Sequence, residues 1–375
     1  MTKVLITGGA GFIGVHLTRK LLSLDYEVAI VDNFNPQIHD RLALPDDLKS
    51  SVELIVEDVC ETEKYIDLIK FSDHIVHLAA ETGTGQSMYE SKRYFKSNVE
   101  GADRLINAIA LHAANLKTLT LGSSRAIYGE GSAICPVHGS VACVRTYETI
   151  KSSGFEPLCK ICKKSTTFAK TQETRAPQPL SYYALTKLQQ ENVFKYFQEV
   201  TGITTNIFRF QNVVGVGQSL KNPYTGILSI FAQLAKQGAS INVFEDGNES
   251  RDFVDVGDII NCMSLSMHEG IELDGPCNIG TGEAISILTI ANIVNNYFGN
   301  KSPINVTGQY REGDIRHAAA ELSYFKSKFG EYKFKEFSET IKDYLDWIVS
   351  QDSNILGVYQ KSIIELSERN LIHKI

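Results

Sequence analysis

"TGGAGFIG", residues 7–14, sets Gly8, Gly11 and Gly14 between the strand-like run KVLIT and the apolar-periodic stretch IGVHLTRKLLSL. Glycines at this spacing let the backbone turn tightly and approach a pyrophosphate. Its charge then meets the free N–H groups and the positive end of the following helix. The strand–turn–helix setting is what makes a three-glycine pattern informative. Asp32 follows at the end of the next run, EVAIVDN. A carboxylate there accepts the two ribose hydroxyls of NAD and repels the 2′-phosphate of NADP. Phe12 and Ile13 inside the turn, and Asn33 beside Asp32, belong to the same contact surface. Asp58 ends the third run, SVELIVED, and Val59 follows it, where the adenine is expected.

Outward from this turn, short β-branched runs alternate with longer amphipathic stretches, the pattern of a parallel sheet with crossover helices. KVLITGG, EVAIVDN, SVELIVED, HIVHLAA, LKTLTLGSS and TTNIFRF read as strands. IGVHLTRKLLSL, YFKSNVEGADRLINAIALHA and YYALTKLQQENVFKYFQEV carry helical apolar spacing. The fold class expected is α/β: a doubly wound parallel (Rossmann) sheet over residues 1–212, then a smaller, loop-rich substrate-binding lobe over 213–375. Residues 131–179, rich in Cys, Lys and Thr, fit neither pattern and read as an insertion.

With 375 residues, 43% of them hydrophobic, the chain can fill one large bilobal unit or two domains. A formal net charge of −7 opposes nucleic-acid and anionic-membrane surfaces, while leaving room for local sites that take small phosphate-bearing molecules. No apolar run approaches the roughly 20 residues needed to span a bilayer. MTKVLITGG moves directly into strand-like sequence without a signal-peptide layout. The expectation is a cytoplasmic protein with neither nucleic-acid nor membrane partners. In that reducing compartment its seven cysteines point to metal or redox chemistry before a disulfide framework.

A Tyr and a Lys one helical turn apart share a face. A nearby ammonium and a cationic nicotinamide lower a tyrosine pKa towards the range of a general base. This spacing occurs at Tyr147/Lys151, Tyr183/Lys187, Tyr297/Lys301 and Tyr324/Lys328, so context has to choose. Tyr183 opens a long helical stretch after APQPLS, and an earlier run ends in LGSSRAIYG, which supplies Ser124 at the carboxyl edge of the sheet. The other pairs lack a Ser-rich strand end and read as surface decoration. Ser124, Tyr183 and Lys187 are the candidate catalytic residues.

TGGAGFIG, HLAA, GSSRAIYGE, SYYALTK, RFQNVVGVGQ, RDFVDVGD and REGDIRH, in that order, resemble the extended short-chain dehydrogenase/reductase family, specifically its nucleotide-sugar epimerases. The resemblance implies a tightly held NAD that is not consumed and a nucleotide-diphosphate sugar as substrate. Tyr183 would take the proton of a sugar hydroxyl while hydride passes to the nicotinamide; the keto sugar then turns over and is reduced on its other face. Lys187 would lower the tyrosine pKa and hold the nicotinamide ribose, and Ser124 would bond the reacting oxygen. Leu78, Ala79, Ala80 and Asn98 fall on the cofactor side. Arg125, Asn212, Arg251 and Arg316 fall on the substrate side, where a diphosphate needs fixed cationic forks. Thr82, Thr84 and Ser87 would lie beside the sugar.

Dehydratases of this family carry an Asp-Glu pair after the catalytic hydroxyl residue; Arg125 and Ala126 stand there instead, which disfavours dehydration. SSRAIYGEG, the Cys-containing insertion and NPYTGILSIF together resemble the bacterial dTDP-L-rhamnose 4-epimerase group, which makes 6-deoxy-L-talose nucleotides. The rivals are a UDP-hexose 4-epimerase, a net reductase of a 4-keto sugar nucleotide, and a non-catalytic dinucleotide sensor. Family members pair through helices that here span about residues 89–112 and 182–200, implying a homodimer.

The insertion holds Cys135-x-x-His138 and Cys159-x-x-Cys162. Two such knuckles supply enough ligands for a tetrahedral structural zinc, whose role would be to fold a loop with little core of its own. A redox pair is the alternative, opposed by the lack of a strand-to-helix setting around EPLCKICKK. Cysteines packed as small apolar residues are the plainer one. Cys143 is a rival ligand to His138, and Cys60, Cys262 and Cys277 read as core.

Overall fold

The six runs read as strands all form, and a seventh joins them, in a computed structural model that describes residues 2–39, 42–224, 226–352 and 355–375. The strands are β1 Lys3–Thr7, β2 Glu27–Asp32, β3 Glu53–Val56, β4 His74–His77, β5 Thr118–Ser124, β6 Thr204–Phe210 and β7 Cys277–Ile279. They pair in parallel in the order β7-β6-β5-β4-β1-β2-β3. A parallel sheet covered on both sides needs apolar residues at successive positions. Leu5, Ile75, Leu119, Leu121 and Ile207 meet Leu105 and Ile109 of the Gly101–His112 helix and Phe194 of the Tyr182–Thr201 helix. Their neighbours Val4, Ile6, Val76 and Phe208 meet Leu17 and Leu21 of the Phe12–Leu22 helix and Ile259 of the Val256–His268 helix on the other face.

The chain runs outward from β1 through β2 to β3, then returns to β1's other side at β4. The carboxyl ends of β1 and β4 therefore flank a crevice at the point where strand order reverses, the place where such sheets bind ligands.

The sheet does not end at residue 212. Both β7 and the Val256–His268 helix come from beyond it, so the chain builds part of the second lobe and then returns to finish the first. Nor is the second lobe chiefly loops. Leu228, Phe231 and Leu234, Ile290 and Val294, and Ile341, Tyr344 and Ile348 pack three helices around one core. Strand Ile372–Lys374 pairs antiparallel with Gln309–Arg311. Among the described residues no helix is long and apolar enough to cross a membrane.

Within residues 131–179, Ser132–Cys135 lies between Thr167–Ala169 and Gly139–Val141 in a small antiparallel sheet. Cys143–Val144 pairs with Leu158–Cys159, and the Tyr147–Ser153 helix lies between those two strands. The local apolar cluster is Cys135, Val141 and Cys159, with Cys162 against them.

Candidate active site

The glycine turn is a backbone cradle. Gly8 has φ +74°, and a Cβ there would sit 2.5 Å from the Ala79 nitrogen; one on Gly14 would sit 2.5 Å from the Gly9 Cα. Gly11 caps the Phe12–Leu22 helix in extended conformation with no side-chain cap, which leaves the first-turn N–H groups for a ligand. A groove of ≈ 1070 Å³ runs past Gly11, Phe12, Gln37, His39 and Gln86 to Gln218 and Tyr224.

Asp32 lies at the crevice, about nine-tenths buried. Its carboxylate accepts the N–H groups of Ala10 (3.0 Å) and Phe34 (2.9 Å) and lies 3.6 Å from His39 Nε2. Burial raises its pKa against these partners. Asn33 and Asp58 line a neighbouring pocket. Val59 is spent on packing: a Cβ on Gly101 would meet it at 2.6 Å. Leu78 donates its N–H to Thr7 O (2.9 Å), and Ala79 packs on Gly8, so the HLAA segment extends the cradle towards Ala80.

Asn98 departs from expectation. It is fully buried in a π-helical stretch, Phe95–Glu100, with Oδ1 accepting from Glu81 N (2.7 Å) and Nδ2 donating to Glu81 O (3.1 Å) and Thr186 Oγ1 (3.0 Å). Its polar atoms are occupied, so it fixes the loop after β4 to the Tyr182–Thr201 helix rather than reaching a ligand.

Ser181 caps that long helix, accepting from Ala184 N, which sets Tyr183 in its first turn. Ser124 ends β5 and accepts from Ala126 N (3.1 Å). Its hydroxyl lines the same cavity as Tyr183. Burial raises the tyrosine pKa, and Ser124 and then Arg125 pull it back. Lys187 follows one turn later on the same helix. Its ammonium donates to Gly122 O (2.8 Å) and Gln190 Oε1 (2.9 Å). Gln190 continues to His77 (3.1 Å) and His77 to Thr7 (2.8 Å). Burial pushes Lys187 down to about 7, with Glu191 opposing. Burial likewise pushes His77 down to about 3, so this chain carries a neutral imidazole.

The other Tyr/Lys pairs lie elsewhere. Tyr147 packs on His373, Tyr297 bonds Asp346, and the Tyr324 hydroxyl accepts from Asp274 N.

Tyr183 and Ser124 open on a cavity of ≈ 300 Å³ also lined by Thr82, Thr84, Arg125, Asn212, Arg251 and Arg311. It shares Gln218 and Tyr224 with the groove that reaches the glycine turn. Arg125 donates to Asn212 Oδ1 (3.3 Å). Burial, and next Arg251, push its pKa down to about 9, the sign of cations converging where an anion would relieve them. Arg251 donates to Ile315 O (2.8 Å) and Arg316 O (3.1 Å). Arg311 forks onto Asp314 at 2.9 and 3.1 Å.

Two substrate-side expectations are corrected. Ser87 is fully buried and donates to Thr84 O (2.7 Å), a local turn contact away from the cavity. Arg316 is 1% exposed and saturated by Glu156, Glu245 and Asp246. Arg311, five residues earlier in YREGDIRH, is the arginine that faces the cavity.

Cys135, His138, Cys159 and Cys162 converge, with ligand atoms within 4.8 Å of one another. Cys143 instead lies by Thr166 at 3.7 Å. Burial raises the Cys135 thiol, and the Val137 and His138 N–H groups with the neighbouring thiols outweigh it, to about 7.

The sequence profile of the NAD dependent epimerase/dehydratase family matches residues 4–280. A dTDP-L-rhamnose 4-epimerase of Burkholderia thailandensis is 36% identical over 352 residues, covering 93% of this chain and 95% of its own. The solved UDP-N-acetylglucosamine 4-epimerase of Methanobrevibacter ruminantium, in complex with UDP-N-acetylmuramic acid, is similar at TM-score 0.74 and 26% identity, covering 93% and 99%. The UDP-glucuronic acid 4-epimerase of Bacillus cereus, solved with UDP-glucuronic acid and NAD, shares the fold at TM-score 0.74 and 23% identity, covering 93% and 99%.

Proposed function

The chain belongs to the NAD-dependent epimerase/dehydratase family, and from that premise we propose that it inverts carbon 4 of a nucleotide-diphosphate hexose, interconverting dTDP-L-rhamnose and dTDP-6-deoxy-L-talose. One observation carries the reading: the Tyr183 phenol and the Ser124 hydroxyl open on the same cavity as Arg125, Arg251 and Arg311. A base and an anion site in one enclosure suit a sugar joined to a diphosphate.

NAD fits the cradle. Side chains at Gly8 and Gly14 would fill it, and Asp32 stands where an adenosine ribose needs a carboxylate. Gly8, Gly11, Phe12, Ile13 and Gly14 would hold the pyrophosphate, Asp32 and Asn33 the ribose, and Asp58 the adenine edge. Leu78, Ala79 and Ala80 would back the cofactor. Bound there, NAD supplies a reversible hydride acceptor. Tyr183 takes the 4-hydroxyl proton and returns it after inversion. Ser124 holds the reacting oxygen. Lys187, fixed by Gly122 O and Gln190, sets a cation behind the tyrosine. The arginines anchor the diphosphate, leaving the keto sugar free to turn over about that anchor. Thr82 and Thr84 present hydroxyls to the hexose side.

The same reading includes a homodimer, a structural zinc and a cytoplasmic setting. Leu111, Tyr196 and Val200 are about two-thirds exposed on the Gly101–His112 and Tyr182–Thr201 helices, which form a groove suited to a second copy. Sedimentation at twice the chain mass is the expected result. Catalysis is tested by incubating the purified protein with dTDP-L-rhamnose, UDP-glucose and UDP-N-acetylglucosamine and resolving products by NMR. Inversion at carbon 4 of dTDP-L-rhamnose without net NADH consumption is expected. Net consumption of NADH would mark a reductase instead.

A further inference from the structure

Arg145 and Glu156 lie in residues 139–158, the stretch that a metal on Cys135, His138, Cys159 and Cys162 would close into a loop. Three ligand separations support such a metal. Cys135 Sγ lies 3.6 Å from His138 Nδ1 and 3.6 Å from Cys162 Sγ, and Cys159 Sγ lies 3.7 Å from His138 Nδ1. Zinc bonds of about 2.3 Å to sulfur and 2.0–2.1 Å to nitrogen give tetrahedral edges of about 3.5–3.8 Å. Val137 donates its N–H to Cys135 Sγ (3.4 Å), a bond that would stabilise the negative charge of a metal-bound thiolate. The cysteines themselves make up most of the local apolar cluster, so apolar packing gives the segment little core of its own.

Both charged residues reach the segment that follows strand Gln309–Arg311, at Asp314, Arg316 and His317. Arg145 is buried and donates to Asp314 O (2.9 Å), Glu130 (3.3 Å), Phe155 O (3.1 Å) and Glu245. Glu156 accepts from Arg316 (2.8 Å) and meets His317 (3.3 Å). Residues 311–317 in turn seat the two guanidinium groups. Arg311 forks onto Asp314, and Arg251 donates to the carbonyls of Ile315 and Arg316.

We propose that a zinc ion bound by Cys135, His138, Cys159 and Cys162 is a positioning element of the sugar-nucleotide site, acting through Arg145 and Glu156 on the segment that orients Arg251 and Arg311. This rests on reading the cavity as a nucleotide-diphosphate site. The bound ion is four-coordinate and closed, with no position for substrate. Its effect on turnover passes through diphosphate affinity and leaves the cofactor cradle alone.

The test uses the full-length protein. Elemental analysis is expected to give one zinc per chain, and cobalt substitution to give the d–d bands of a tetrahedral site with thiolate charge transfer. Chelating the metal from the wild type, and Cys159→Ser, are each expected to weaken dTDP and UDP binding in calorimetry by about tenfold or more, with NAD per chain unchanged. Arg145→Met is expected to keep zinc and the cobalt spectrum yet lose affinity to a similar degree. That separates the link through Arg145 from any folding defect in the cysteine variant. Less than roughly a tenth of a zinc per chain after reconstitution overturns the metal site. Stoichiometric zinc whose removal leaves affinity unchanged, or unchanged affinity in Arg145→Met, overturns the coupling alone. If the wild type binds neither dTDP nor UDP, the reading of the cavity falls, and the coupling with it.

Discussion

Tyr183 starts from an unfavourable position for a base, because burial holds its proton on. Ser124 and Arg125 pull the other way. Ser124→Ala removes a group that lowers the tyrosine pKa, so the acid limb of kcat/KM should move to higher pH. An unmoved limb would place the titrating base elsewhere. Tyr183→Phe should lower kcat by about 10²–10⁴-fold while bound NAD per chain stays the same. The two arginines of YREGDIRH should separate by readout. Arg311→Met should raise KM for the sugar nucleotide. Arg316→Met takes the guanidinium from Asp246 and Glu156 and one of two from Glu245, which keeps Arg145, and should cost stability, about 1–3 kcal/mol in denaturant unfolding. Glu249 adds a pH signature. Burial raises it to about 7, so its neutral form favours the fold at low pH, and that stability is lost as pH rises through 7. Glu249→Gln should therefore raise Tm above wild type at pH 8 and leave it near wild type at pH 5. The strand end and capped helix that set Tyr183 apart among four Tyr-x-x-x-Lys pairs are local features, so that setting was legible in the sequence. Choosing Arg311 over Arg316 was not, since strand pairing and distant carboxylates decide which guanidinium turns inward.

Elements carry the site in unequal ways. The glycine turn, β1 and the Phe12–Leu22 helix are contiguous in sequence, so both the pattern and its use were readable. The Tyr182–Thr201 helix was readable too, although the π stretch at Phe95–Glu100, which turns Asn98 inward, has no periodicity to announce it. The C-terminal part is the opposite case. The Leu356–Glu368 helix places Glu365 against the hydroxyls of Tyr89 (3.2 Å) and Tyr224 (2.8 Å), and Leu366 against Gly85 beside Thr84. Strand Ile372–Lys374 then pairs with Gln309–Arg311 and so steadies Arg311. Such contacts join residues far apart in sequence and leave no local mark. Removing residues 370–375 should raise KM for the sugar nucleotide by about tenfold without loss of NAD, as seen in steady-state kinetics. An unchanged KM would show that this pairing is not what orients the arginine.

At the scale of the molecule, the sheet supplies the cofactor crevice at its strand-order reversal, and the second lobe supplies the arginines that close the substrate cavity. The fold class was legible because six of the seven strands wrote themselves as β-branched runs. The boundary was not, because β7 is three residues long and reads like any short apolar run. The two lobes meet where Tyr183 faces Arg251 and Arg311, which is why neither lobe alone states the chemistry. The central claim is that carbon 4 is inverted by removing its hydrogen as hydride and returning the same hydrogen to the opposite face. Its most direct test is turnover of dTDP-L-rhamnose deuterated at carbon 4, with products read by NMR. The expected result is dTDP-6-deoxy-L-talose that keeps deuterium at carbon 4 in ordinary water; loss of the label to solvent, or recovery of substrate with no inversion at that carbon, would contradict it.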